Sequence, residues 1–245
     1  MADFFQHARV PTLHHLSHAD SAEREAELLE WSAEKPVALL LPALFAECER
    51  PALPQILERA ADLSYISEVV LSMNAMDASE HDRAVKLCRR TLRGKPARII
   101  WNDGPGMTRA YERMEQSDLP GYHAGKGTNI WMGALSLQAR GFNGIVVSHD
   151  TDILNYSREM LWRLAYPLLH PRMGYRYAKG YYSRVAERLY GRVTRLLIFP
   201  MILACRDVLG PKPLLDHLAD FRYPLSGEFA ADLSALRSFS LPGGW

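Results

Sequence analysis

Residues 145–152 read Ile-Val-Val-Ser-His-Asp-Thr-Asp, an apolar run that ends in two carboxylates, Asp150 and Asp152. In an extended segment residues i and i+2 point the same way, so both acids face one side just beyond the run. Close carboxylates repel unless a cation lies between them, and oxygen-only ligands favour Mg2+ or Mn2+ over zinc. A divalent ion held there can bridge a diphosphate. An Asp-x-Asp is short and common, so two solvated loop acids remain the alternative. The position of this pair, past an apolar strand where open α/β sheets bind ligands, is what points to a metal.

Four other segments carry chemistry-bearing residues. Gly125-Lys126-Gly127-Thr128-Asn129 opens a helical pattern. Its glycines let backbone N–H groups approach an anion, the helix N-terminus attracts phosphate, and Lys126 adds a charge. It lacks the upstream glycine of a P-loop. Leu41-Pro42-Ala43-Leu44-Phe45-Ala46-Glu47 closes the first apolar run and can frame a base, or serve only as a strand-to-helix turn. Gly191-Arg192-Val193-Thr194 places an Arg and a Thr two apart near a helix start, where they can hold a phosphate or carboxylate by charge-assisted hydrogen bonds. Glu228 follows the tight turn of Tyr223-Pro224-Leu225-Ser226-Gly227 in an apolar surround. Taken singly, each of these also reads as an ordinary helix start, surface arginine or capping acid.

The elements that must position them alternate along the chain. Residues 36–41, 67–73, 97–101 and 144–148 read as short buried strands. Helical patterns fall at 53–63, 79–92, 107–114 and 126–140, the last with Ile130, Ala134 and Leu137 on one face and Gly141 just past its end. A first helix begins at Asp20, where Glu23 three residues on makes a capping-box pattern. Apolar strands separated by helices predict a mainly parallel sheet covered on both faces. After residue 152 the rhythm changes. A helix is read over 157–169, with Pro167 positioned to end it early, then an aromatic strand over 175–182. An apolar helix interrupted by Pro200 follows over 192–204, and short helices over 213–219 and 230–237. The organisation expected is an N-terminal arm (1–19, with His7, His14, His15 and His18), an α/β part (20–152) and a second part (153–245).

Composition narrows the function classes. Lys plus Arg number 29 and Asp plus Glu 28, a net charge of +1, which argues against a nucleic-acid binder that relies on bulk positive charge. Cys48, Cys88 and Cys205 are scattered and form no CxxC pair, so neither a disulfide framework nor a zinc site is expected, and a reducing cytoplasm fits. The N-terminus lacks a signal-type apolar region, and the longest apolar runs, 37–46 and 196–205, are too short to span a bilayer. A peripheral contact through the second run stays open.

In this order, the five segments resemble the GT-A glycosyltransferases that make glucosyl-3-phosphoglycerate and mannosyl-3-phosphoglycerate. The likeness runs from about Pro36 to Trp245. It also includes Asn155-Tyr156-Ser157, Ala178-Lys179-Gly180-Tyr181-Tyr182 and Arg195. It implies a GT-A fold and a retaining transfer of glucose or mannose from a nucleotide sugar such as UDP-glucose or GDP-mannose. The acceptor would be 3-phosphoglycerate or a glycerate-like relative. It further implies that Pro42, Ala43 and Glu47 hold the nucleoside, with Ser72 and Asp77 near the base and ribose. Lys126 would contact the donor near its diphosphate, Asp150 would face the donor sugar or ribose, and Asp152 would ligate Mg2+ or Mn2+. Gly191, Arg192 and Thr194 would grip the acceptor, and Glu228 would contact the hexose hydroxyls. A homodimer is implied as well. The family pattern continues beyond Trp245, where its members take a histidine ligand to the metal, so on this likeness the chain is C-terminally shortened. Two competing readings are a non-catalytic GT-A homologue that binds nucleotide sugar and a sugar-phosphate nucleotidyltransferase. The latter wants a glycine-rich loop after the first strand, and residues 41–47 contain no glycine.

Overall fold

The computed structural model describes residues 10–12, 21–117, 123–182 and 192–236. The arm histidines, Asp20, Gly191 and the last nine residues, among the sequence features above, lie outside them. Helix α1 (Ser21–Ser32) precedes β1 (Val37–Leu44), a 3-10 turn (Phe45–Glu49), α2 (Ala52–Ala61), β2 (Ile66–Asn74), α3 (Ala78–Thr91), β3 (Ala97–Trp101) and α4 (Pro105–Glu115). Then come α5 (Lys126–Ala139), β4 (Ile145–Ser148), α6 (Arg158–Leu169), β5 (Tyr177–Lys179), a π-helical turn (Thr194–Ile198), α7 (Phe199–Leu209), α8 (Pro213–Asp220), β6 (Phe229–Asp232) and α9 (Leu233–Leu236).

The described strands form one six-stranded sheet in the order β3-β2-β1-β4-β6-β5. β1 pairs in parallel with β2 and β4, and β2 with β3, as the alternating pattern predicts. β6 is antiparallel to both of its neighbours, β4 and β5. The parallel strands read as continuous apolar runs because both faces are covered: Val37–Leu41 and Ile145–Val147 are fully buried. On one face Ala38, Leu40, Val70, Ile100, Val146 and Ala231 form a layer under Ile130, Ala134 and Leu137 of α5 and Leu233 of α9. On the edge beyond β4, α6 packs against β4, β5 and β6, and α1 packs on α6.

Several expectations need correction. Residues 230–237 were expected to be helical, but 229–232 form β6. Ala and Leu favour a helix locally, and the pairing with Val146, Val147 and β5 overrides that preference. The aromatic strand is confined to Tyr177–Lys179. Pro167 does not end α6, which continues to Leu169. The expected helix around Pro200 is present: residues 192–209 stay helical, and the regular α-pattern is interrupted by the π-helical turn Thr194–Ile198 that directly precedes Pro200.

The chain divides into two compact units. One comprises Asp20–Lys179 and Gly227–Trp245, the other Met1–Ala19 and Gly180–Ser226. The first carries the sheet. In the second, α7 packs on α8, with Arg206 paired to Asp216 at 3.1 Å.

Backbone hydrogen bonds tie the joint between β1, β4 and α9. Ile145 N–H donates to Pro36 C=O at 2.9 Å, and Leu233 N–H donates to Gly144 C=O at 3.0 Å. A side chain at Gly144 would fall on the Pro36 carbonyl, a backbone group that cannot swing aside, whereas one at Gly133 would meet the end of Leu40. Gly144→Ala is therefore expected to cost about 3 kcal/mol and Gly133→Ala less, the ordinary scale of overpacking. Urea unfolding of both variants measures this, and an unshifted midpoint for Gly144→Ala would contradict the close approach.

Candidate functional site

The carboxyl ends of β1, β2, β3 and β4 lie along one edge of the sheet. Because β6 runs the other way, its first residue reaches the same edge: Phe229 pairs with Ser148 at the end of β4 and with Lys179 at the end of β5. The register thus brings Asp150, Lys179, Gly227 and Glu228 together from three separate stretches of chain. Lys126 arrives from a fourth, as the first residue of α5.

Lys126 and Asp150 form a close ion pair, with the ammonium hydrogen-bonded to Oδ1. Both remain about one-third exposed, at 39% and 32% of their side chains, so the pair faces the edge and is not sealed in the core. Gly227 is pressed against it. A Cβ there would lie 2.7 Å from each carboxylate oxygen of Asp150 and would also strike Lys126 Nζ. Only the absence of a side chain permits that approach. Glu228, the next residue, is 2% exposed. The half-buried Lys179 completes the cluster. Burial pushes its pKa down, Glu228 and Asp150 raise it, and Lys126 lowers it.

What holds Lys126 in place is a buried amide network on the same face of the sheet. Asn129, one turn into α5, donates from Nδ2 to the carbonyl of Ala43 and to Oδ1 of Asn74, each at 3.2 Å. Its own Oδ1 accepts from Asn102 Nδ2 at 2.8 Å, and the same Asn102 amide donates to Ser72 Oγ at 2.9 Å. The start of α5 is thereby tied to the tips of β1, β2 and β3. These asparagines are the supporting residues that motif reading missed. Asn129 belongs to the glycine-flanked helix start, but nothing local signals a bond to Ala43, 86 residues away. Lys179 was likewise visible only as part of a motif.

The other candidate residues fall into different places. Asp152 is exposed, two residues beyond Asp150. Pro42 and Ala43 are buried at the end of β1, where the Pro42 carbonyl accepts from Thr151 Oγ1 at 3.3 Å. Glu47 is buried in the 3-10 turn. One carboxylate oxygen takes a 2.7 Å bond from Arg50, while Oε2 is enclosed and accepts no hydrogen bond. Ser72 is fully buried within the amide network. Asp77 caps α3 through a reciprocal capping box with Glu80, its Oδ1 accepting from Glu80 N–H at 2.8 Å. Arg192 is exposed and Thr194 buried, both in the second unit.

Charge and acidity near the edge follow from burial. His149 is fully enclosed with its ring edge-on to Tyr156, and burial drives its pKa down to about 3, so it stays neutral beside Asp150. Burial likewise pushes the Cys48 thiol up to about 11 and the Cys88 thiol up to about 12, so neither is a thiolate at neutral pH. Among the described residues no three His, Cys, Asp or Glu side chains cluster tightly enough to form a complete metal cage. No helix among them is long and apolar enough to cross a membrane.

No family model matches the chain. It is 38% identical over 245 residues to glucosyl-3-phosphoglycerate synthase of Persephonella marina, covering all of this chain and 60% of that protein. Its fold is similar to crystal structures of glucosyl-3-phosphoglycerate synthase from Mycobacterium tuberculosis. One, in complex with phosphoglyceric acid, aligns with a TM-score of 0.65 at 23% identity, over 97% of this chain and 69% of that one. Another, in complex with Mn2+, UDP-glucose and phosphoglyceric acid, aligns with a TM-score of 0.64 at 23% identity and the same coverage. The sheet order and these likenesses bear out the expected GT-A type of α/β fold. The chain is similar along its whole length to the glucosyl-3-phosphoglycerate synthase of Persephonella marina and spans 60% of the length of that protein.

Proposed function

We propose that the chain forms the donor-binding part, and at least a portion of the acceptor-binding part, of a hexosyltransferase. The enzyme moves glucose from UDP-glucose to 3-phosphoglycerate or a glycerate-like acceptor, with Mn2+ or Mg2+ and with retention at the anomeric carbon. The observation that carries this reading is the Lys126–Asp150 pair under Gly227, with Glu228 alongside, at the carboxyl edge of a GT-A-type sheet. Support comes from the curated relative's name and from the ligands in the similar crystal structures.

On this reading the departing group is a nucleoside diphosphate, and negative charge grows on its β-phosphate as the sugar leaves. Lys126 stands at a helix N-terminus, where backbone N–H groups also favour an anion. Asp152, exposed beyond β4, would hold the divalent ion, which when bound neutralises part of the leaving diphosphate. Pro42, Ala43 and Glu47 at the end of β1 and in the turn that follows would hold the nucleoside. Asp150 and Glu228 would accept from sugar hydroxyls. Arg192 and Thr194 of the second unit would hold the acceptor's phosphate. A homodimer belongs to the same reading, and the exposed Leu196, Leu203, Val208 and Leu209 of the second unit supply apolar surface for it.

Two experiments test the proposal. Asp152→Ala removes an exposed side chain and should leave the thermal midpoint nearly unchanged, while the Mn2+-dependent gain in UDP-glucose affinity drops roughly tenfold or more, the scale of a lost charged ligand. Titration calorimetry with and without Mn2+ reads this, and an unchanged gain would remove Asp152 from the metal site. Arg192→Ala should weaken 3-phosphoglycerate by about one to two orders of magnitude, as expected for a lost charge-assisted bond, and spare UDP-glucose. Equal losses for both ligands would overturn the acceptor role.

A further inference from the structure

Among the described residues two other than glycine hold a positive φ, Arg93 at 49° and Ala75 at 56°. A Cβ disfavours that left-handed backbone, so the surroundings must hold it. Arg93 directly follows the C-cap of α3, where a left-handed residue is a common way to end a helix. Ala75 has no such setting. It lies between the end of β2 and Asp77, the cap of α3, and its N–H donates to Asp103 Oδ2 at 2.7 Å. The loop that carries Asp103 is itself fixed. Asn102 donates from its backbone N–H to Met73 C=O at 2.8 Å and from Nδ2 to Ser72 Oγ at 2.9 Å, and Gly104 N–H closes a turn on Trp101 C=O at 3.1 Å. The loop after β3 thus grips the loop after β2. The gripped loop flanks the tip of β1, since Pro42 pairs with Ser72, Ala43 with Met73 and Leu44 with Asn74. The helix it leads into, α3, also holds the 3-10 turn that carries Glu47: Arg83 donates to Glu49 Oε1 at 2.7 Å and lies over the Phe45 ring at 4.6 Å.

We infer that Asp103 is a positioning residue for the nucleoside half of the donor: by accepting the Ala75 N–H it holds the left-handed turn that sets where α3 starts beside the β1 tip and the 3-10 turn. This rests on the donor-site reading above, in which Pro42, Ala43 and Glu47 hold the nucleoside, and adds to it a residue that acts through a neighbouring loop. Backbone strain kept at a ligand-binding edge is the pattern expected where geometry serves the ligand. The charge of Asp103 alone would repel a diphosphate, so its position and its charge act in opposite directions on binding and can be told apart.

The test compares UDP with inorganic pyrophosphate, each with Mn2+, by titration calorimetry on the full chain. The proteins are wild type, Asp103→Ala, Asp103→Asn and the Asp103→Ala/Ala75→Gly double variant, with circular dichroism to monitor folding. Asp103→Ala should lose at least fivefold in UDP affinity while pyrophosphate changes less than twofold. Asp103→Asn keeps an acceptor oxygen and should recover most of the loss. The double variant should recover most of it too, because glycine adopts a positive φ without an anchor. Unchanged or tighter UDP binding in Asp103→Ala, equal weakening of UDP and pyrophosphate, or no recovery with glycine would each overturn the inference. If Asp103→Ala fails to fold, Ala75→Val decides by the same criteria for UDP and pyrophosphate, since a β-branched residue resists the left-handed turn with Asp103 intact. If the wild type binds UDP but not pyrophosphate, recovery with glycine decides alone. A wild type that binds neither overturns the donor-site reading and this inference with it. A wild type that binds both, with an unaltered ratio in Asp103→Ala, overturns the inference alone.

Discussion

An ammonium–carboxylate pair at the carboxyl edge of the sheet, Lys126 with Asp150, is the contact on which the rest of the site depends. It joins the start of α5 to the segment that leaves β4, and its partly exposed position lets it meet a ligand without first breaking the core. An exposed pair contributes little to stability, because water screens it and two long side chains must be ordered. Its value lies in geometry. Gly227 closes on the pair at a distance no side chain would allow, and this forces the chain into β6 at a fixed point, which places Glu228.

The supports are neutral where the site is charged. Asn74, Asn102, Asn129 and Ser72 are buried and joined by hydrogen bonds, so they tie three strand tips to α5 without adding charge at the edge. A network of this kind is costly when incomplete and rigid when filled, because each amide has few alternative partners in a dry interior. His149, enclosed and neutral, follows the same pattern next to Asp150. Charge is kept for the residues that face the edge.

Much of this was legible from one-dimensional pattern. β1 to β4 were visible as short apolar runs, and α5 as a helix opened by glycines, because burial on both faces and the 3.6-residue period leave direct marks. Asp77 shows where local reading divides: the Asp with Glu80 three residues on is a capping signature, and the capping box is what the fold makes of it, while a contact with the nucleoside stays a matter of the proposal. Ser72 lies inside the amide network, which no local signal announced. The segment 229–232 shows the converse, since its local preference was helical and its partners made it a strand.

The sequence alone determined the chemical inventory and the parallel half of the sheet: two acids after β4, a lysine at a helix start, and a succession of apolar strands and helices whose order leaves few ways to cover both faces. Tertiary structure decided which of those groups meet. Lys126 and Asp150 are 24 residues apart, and Lys179 and Glu228 enter the same edge through two antiparallel strands inserted beyond β4. Periodicity reports which way a side chain faces relative to its own element. It carries no information about which distant element lies opposite, because that is fixed by pairing register and by the close approach at Gly227, both of which are properties of the packed chain.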